Sequence, residues 1–290
     1  MIRGASHWSV WAAVSKTNAS MPFSRSMDAM MCASPGPAAS ETGTRSCGDG
    51  MVRVYHPSMC GRYAYFYKLN QVLQLIAGGW TTEEAFDAIF NVAPTMRAPV
   101  ILLGKNGEPG LTKLTWGLVP SWTEDTSIGA KMFNARSETI REKPAYKEPF
   151  EKRRCVVPIS GFYEWETLRE LKRKKPWYVS PSDESIMLLA GVWERWGTGE
   201  DRLDTYTVVT TQARGRMAEI HERSPVMLRG TDWSTWLTGT QEEAIGLCEP
   251  REPDWLSFRP VSTRVGNVKY NDPSLLERVE NEPGEQLGLF

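Results

Sequence analysis

Between residues 98 and 211 the apolar residues come in short, strand-sized runs, and strand and helix patterns never settle into the regular alternation of a parallel βαβ sheet. APVILLG (98–104) and LTKLTWGLV (111–119) flank the turn residues KNGEPG. CVVPISGFYEWE (155–166) and PWYVS (176–180) read as a strand pair joined by the charged loop LRELKRKK. IMLLAGVWERW (186–196), DTYTVVTT (204–211) and FRPVS (258–262) continue the series. Helical spacing is confined to the flanks, at 67–78, 81–90, 213–220, 231–238 and 240–248; the 81–90 segment opens with Thr and early Glu, as a helix start should. The expected fold class is α+β, a largely antiparallel mixed sheet with peripheral helices in a single domain over residues 59–290.

Residues 1–58 have a different texture, rich in Ser, Ala, Gly and Met without sustained periodicity, as in MPFSRSMDAMMCASPGPAASETGTRSCGDG. Such a stretch cannot bury enough apolar surface to offset its chain entropy. Three readings stay open: an upstream start-site artefact with initiation at Met59, a removable targeting segment, or a disordered tail. The expectation is a disordered extension that the mature protein lacks.

The charge balance argues against a bulk polyanion binder. The formal net charge is −1, and beyond residue 58 there are 29 basic against 32 acidic residues, so any nucleic-acid contact must be a local patch. The run KRKK (172–175) reads most simply as a solvated hairpin tip. Five widely spaced cysteines and only three histidines give no zinc spacing, so neither a metal nor another cofactor is expected. Odd, scattered cysteines fit a reducing compartment, and no apolar run of ~18 residues offers a membrane span. The expectation is a cytoplasmic monomer, nucleoid-associated in a bacterium, with organelle targeting by residues 1–58 left open.

Four segments concentrate chemistry-bearing residues: MCGRYA (59–64), FNARSET (133–139), CVVPISGFYEWE (155–166) and IHERSPVML (220–228). With NVAPT (91–95), WGLVPSW (116–122) and VSTRVGNVK (261–269), in this order, the chain resembles the SRAP family, the abasic-site processing proteins also called SOS-response-associated peptidases. The resemblance runs from Met59 to about Lys269.

The resemblance implies that Cys60, exposed as an N-terminal residue, condenses with the aldehyde of an abasic site in single-stranded DNA. Its amine forms an imine and its thiol closes a thiazolidine. An α-amine of pKa ~7.8 is roughly one-third unprotonated near pH 7.5, against ~0.1% of an ordinary lysine. Glu164, between aromatic neighbours, is expected to be desolvated and to act as acid or base, although Glu166 shares its face and the choice rests on the resemblance. His221, the one histidine beyond residue 56, is assigned proton transfer. Asn134 is assigned to positioning the amine or opened sugar. Arg62 and Arg136 are assigned to phosphates, Trp122 and Pro94 to stacking on or wedging between bases, and Thr210 to a weaker phosphate contact. Weak lyase activity by β-elimination is compatible with the same imine. Two rival functions remain at this stage: a cysteine peptidase using Cys60, His221 and Glu164, perhaps only on its own extension, and a non-catalytic single-strand binder. Capping the α-amine separates them, because it abolishes only the first chemistry.

Overall fold

The computed structural model describes residues 60–279 except 78, 83 and 169–172. The extension expected over residues 1–58 lies outside the described residues. In chain order the elements are β1 (Arg62–Tyr65), α1 (Leu69–Leu75), β2 (Trp80–Thr81), β3 (Ile89–Val92), β4 (Arg97–Leu103), β5 (Pro109–Trp116), β6 (Asn134–Arg136), α2 (Pro144–Lys152), β7 (Arg154–Ile159), β8 (Gly161–Leu168), β9 (Arg173–Pro181), β10 (Met187–Trp196), β11 (Leu203–Gln212), α3 (Arg216–Ile220), β12 (Arg223–Pro225), β13 (Met227–Leu228), α4 (Asp232–Thr238), α5 (Gln241–Gly246) and β14 (Leu256–Pro260). Short 3-10 turns punctuate them at 126–131, 137–139, 199–201, 263–266 and 273–276. The class is α+β, as expected.

Five strands close on themselves. The sequence of neighbours β5–β4–β7–β10–β11 is antiparallel throughout, and β11 returns to β5 through a short parallel pairing at Thr205–Thr115 and Tyr206–Trp116. Closure leaves no free edge along that ring. Beside this small barrel lies an antiparallel sheet in the order β14–β9–β8–β1–β3.

Alternation along β1 and β8 buries both faces of this second sheet. Tyr63, Tyr65 and Phe162 point into the main core with Trp116, Val156 and Val208 of the barrel. Ala64, Tyr163 and Tyr178 point the other way and pack on Val261, Val265 and Leu275. That outer cover is tied down by Asn91 on β3, whose side-chain amide donates to the carbonyls of Val265, Asn267 and Tyr270 at 3.0–3.2 Å.

The chain differs from the sequence expectation at two points. Residues 81–90 are not helical. Trp80–Thr81 pairs in parallel with β5, and Ile89–Val92 pairs with β1 in the register Tyr63–Val92 and Tyr65–Ile89. Local helix spacing yields here to a sheet position that buries Asn91 and Val92. The run 155–166 is two strands, β7 in the barrel and β8 in the second sheet. The switch is at Ser160, whose N–H donates to the Ala64 carbonyl at 2.8 Å and whose hydroxyl accepts from the Phe66 N–H at 3.0 Å. Strand β1 itself carries no clear strand signal in the sequence.

Candidate active site

The antiparallel register of β1 on β8 sets Arg62 opposite Tyr163 and Tyr63 opposite Phe162. Continued back, that register sets Gly61 opposite Glu164, and Cys60 one residue further lies within reach of the Glu164 carboxyl. The backbone nitrogen of Cys60 donates to Glu164 Oε2 at 2.9 Å, and both residues are buried, at 1% and 2% exposure. Cys60 has a φ of +46°, in the left-handed region. The second oxygen, Oε1, accepts the N–H of Trp165 at 3.2 Å.

Burial pushes the Glu164 carboxyl up from its usual range to about 7, against the pull of those two backbone donors and of the Lys174 ammonium. The Cys60 thiol is pushed well above its ordinary value, first by burial and then by the Glu164 carboxylate. At neutral pH it is therefore a thiol and not a thiolate. Glu166 is set apart from Glu164 despite the shared face, because its Oε2 accepts from Trp177 Nε1 at 2.8 Å and the residue is only half-buried.

FNARSET and IHERSPVML meet on β11. Strand β6 runs parallel to it with Asn134 beside Val208 and Arg136 beside Thr210, while β12 lies antiparallel with Pro225 beside Thr210. The two segments are locked by a bidentate ion pair between Arg223 and Glu138, with Nη2–Oε2 at 2.8 Å. Arg223 Nη2 also donates to the Thr210 carbonyl at 2.8 Å and to its hydroxyl at 3.3 Å. Sequence reasoning missed Arg223 and Glu138 as a pair. Both stand inside the segments singled out, yet 85 residues of separation give no local signal.

His221 follows α3, which packs against β8. Its ring Nδ1 accepts the N–H of Arg223 at 3.1 Å, so a neutral imidazole there carries its proton on Nε2. Asn134 is half-buried, and its carbonyl accepts from the Tyr146 hydroxyl at 3.4 Å. Neighbouring Phe133 joins this group to the first: its carbonyl accepts from Trp116 Nε1 at 2.8 Å, and its ring lies against Gly61.

The DNA-contact candidates divide. Arg62 is half-buried. Its Nη1 donates to the Gly61 carbonyl at 2.8 Å, its Nε is buried without a hydrogen-bond partner among the described residues, and burial lowers its pKa. Arg136 is exposed. Trp122 is 66% exposed, on a loop with a firm base: Gly117 N–H donates to the Tyr206 carbonyl at 2.8 Å, Val119 N–H to the Thr205 hydroxyl at 2.9 Å, and Trp196 Nε1 to the Thr123 carbonyl at 2.7 Å. Pro94 sits half-buried in a turn pinned to the same place, since Thr95 N–H donates to the Trp116 carbonyl at 2.7 Å. Thr210 is different. It is 2% exposed and its hydroxyl donates to the Ala135 carbonyl at 3.3 Å, so that side chain is committed inside the protein and leaves the set of phosphate contacts.

The chain is similar to known proteins over most of its length. The abasic site processing protein YoqW of Bacillus subtilis is 35% identical over 225 residues, covering 76% of this chain and 99% of that protein. The abasic site processing protein HMCES of Gallus gallus is 31% identical over 236 residues, covering 69% of each. A crystal structure of a protein from Bacteroides thetaiotaomicron superposes with a TM-score of 0.66 at 24% identity, over 76% of this chain and all of that one, which shows the shared fold. The profile of one family matches residues 59–268. The chain belongs to that family, SOS response associated peptidase (SRAP).

Proposed function

We propose that this protein captures abasic sites in single-stranded DNA, through a mature N-terminus at Cys60 that forms a thiazolidine with the ring-opened sugar. The observation that carries the reading is the 2.9 Å contact between the Cys60 nitrogen and Glu164 Oε2 in a buried setting. The family match beginning at residue 59 and the names of the relatives support it. Once Cys60 is the first residue, its nitrogen is an amine.

The chemistry then has two stages. Glu164, protonated below about 7, gives a proton to the sugar ring oxygen as the ring opens and takes one from the amine as it attacks. Nitrogen bonds to C1′ and water leaves, giving an imine. The S–H then adds across the C=N bond: sulfur bonds to C1′, the proton goes to nitrogen, and the ring closes without redox change. His221 Nε2 and Asn134 assist the proton transfers and hold the opened sugar, while Arg62, Arg136, Trp122 and Pro94 hold the strand. Loss of the C2′ proton from the imine before closure, with the C3′–O bond breaking and the 3′-phosphate leaving, would give β-elimination, a weak lyase activity.

A thiolate peptidase is the less favoured reading, because burial holds the Cys60 sulfur in its protonated form. The test combines mass and trapping. Protein from its own host should begin at Cys60 by intact mass and form a heat-stable adduct with an abasic oligonucleotide. Correctly processed Cys60→Ser should form an imine that borohydride traps, without the heat-stable product. A stable adduct from Cys60→Ser at the wild-type rate would rule out thiazolidine closure, and activity in protein that still begins at Met1 would rule out the amine.

A further inference from the structure

Trp122 is the most exposed large apolar side chain among the described residues. Leaving an indole in water is unfavourable, so the loop that carries it must be fixed at its feet. Ser121 and Trp122 form the tip of a turn closed by the Thr123 N–H, which donates to the Pro120 carbonyl at 3.1 Å. The leg before the tip, Leu118, Val119 and Pro120, is buried. In the leg after it the Asp125 N–H donates to the Thr123 hydroxyl at 3.2 Å.

Each leg is clamped to the barrel. The first begins at Gly117, whose φ of +120° lies in the left-handed region. There backbone meets backbone. A Cβ on Gly117 would run into the Gly129 carbonyl, and one on Gly129 would stand 2.8 Å from the Gly117 oxygen and 2.9 Å from Val119 Cγ2. The contact therefore needs glycine on both sides. Just beyond it, the Leu118 N–H donates to the Met132 carbonyl at 3.0 Å. The second leg hangs on Trp196, whose indole N–H holds the Thr123 carbonyl at 2.7 Å and whose backbone pairs with Leu203 at the end of β10. Two exposed carboxyls, Glu124 and Asp125, follow the tip, and Asp125 accepts from the N–H and hydroxyl of Ser127 at 2.9 and 2.8 Å. Negative charge beside the indole repels phosphates, so the tip suits a base and not the backbone of a strand.

We infer that Gly129 and Trp196 are positioning residues for strand recognition, holding the arch 117–125 so that Trp122 borders the track of the single strand with its ring already in place. The inference rests on the role proposed above for Trp122. A ring fixed in advance loses little freedom on binding, so loosening either clamp restores an ordering cost without removing a contact to the strand. Gly129→Ala drives a methyl between the first leg and its support. Trp196→Phe keeps an aromatic ring and removes the N–H that holds the second leg.

The probe is a labelled single-stranded oligonucleotide carrying tetrahydrofuran in place of the abasic sugar, which has no aldehyde and cannot crosslink. Anisotropy titrations give Kd. Gly129→Ala and Trp196→Phe should each weaken binding about three- to tenfold. In protein that already carries Trp122→Ala the same changes should cost nothing further, because the ring they position is gone. On a true abasic strand the half-saturating concentration should rise while the capture rate at saturation holds, since Cys60 and Glu164 stand outside the arch. The milder Trp196→Phe keeps the test decisive if Gly129→Ala does not fold. Wild-type affinity in both variants, equal losses with and without Trp122, or a fall in the saturated rate alone overturns the inference. Trp122→Ala binding as tightly as wild type overturns it together with the role given to Trp122. If the cycle holds but wild type forms no adduct with a true abasic strand, the covalent reading fails and the arch stands.

Discussion

Under the proposed function, the buried carboxyl of Glu164 bears on both reactivity and stability. Capture needs the amine unprotonated and the acid protonated, so its rate should rise with pH as the amine, of pKa ~7.8, loses its proton. The rate should then fall as Glu164 ionises through about 7, leaving a narrow optimum near neutrality. Glu164→Gln should slow capture by ~10²–10⁴ and abolish the falling limb, as read from single-turnover rates across pH 5.5–9. A carboxyl at about 7 in the fold and 4.5 when unfolded binds its proton more tightly when folded. Its contribution to stability is therefore complete below about 4.5 and is lost as pH rises through about 7. Glu164→Gln has no charge to bury, so it should gain stability relative to wild type between pH 5 and 8, by roughly 3 kcal/mol at most. Thermal unfolding at the two pH values reads this, and parallel behaviour of both proteins would refute it. The sequence leaves Glu164 and Glu166 on one face; in the fold Glu164 is buried beside Cys60 while Glu166 accepts from the Trp177 indole.

Among elements, the pairing of distant segments carries most of what was illegible. Period-two runs such as DTYTVVTT mark their own strands, and β4, β5 and β9–β11 lie where the pattern sets them. Strand β1 is short, and β3 hides inside a helix-like stretch, because each is defined by its neighbours on the sheet and not by its own spacing. Barrel closure likewise rests on two residue pairs between β5 and β11 that leave no local trace. Asn91 shows what such placement holds together. With its amide gone, Asn91→Ala leaves carbonyls in the 265–270 segment without a donor, at a cost of about 1–3 kcal/mol. Amide exchange should speed up across residues 263–270 well before the barrel strands respond. Uniform acceleration over both would show that the segment and barrel open as one unit.

For the whole molecule, net charge gives no general attraction to nucleic acid, so recognition must come from where the cations and aromatics stand. Under the proposed function, Arg62, the exposed Trp122 and the Pro94 turn hold a strand whose bases are free to stack, which suits an open single strand better than a duplex groove. Crosslinking should be far faster on an abasic site in single-stranded DNA, or at a single-strand junction, than within continuous duplex. Equal rates on the two would contradict the proposed track. No helix among the described residues is long and apolar enough to cross a membrane.

The left-handed φ of Cys60 gives the residue before it an energetic meaning. A side-chain-bearing residue in that region is strained, by about 1–2 kcal/mol, and the strain is defined only while a peptide bond precedes Cys60. Cutting that bond deletes the torsion altogether. Under the proposed function, the hydrolysis that frees the Cys60 amine also relaxes the backbone that holds it, and the shortened chain should melt higher than its uncut precursor.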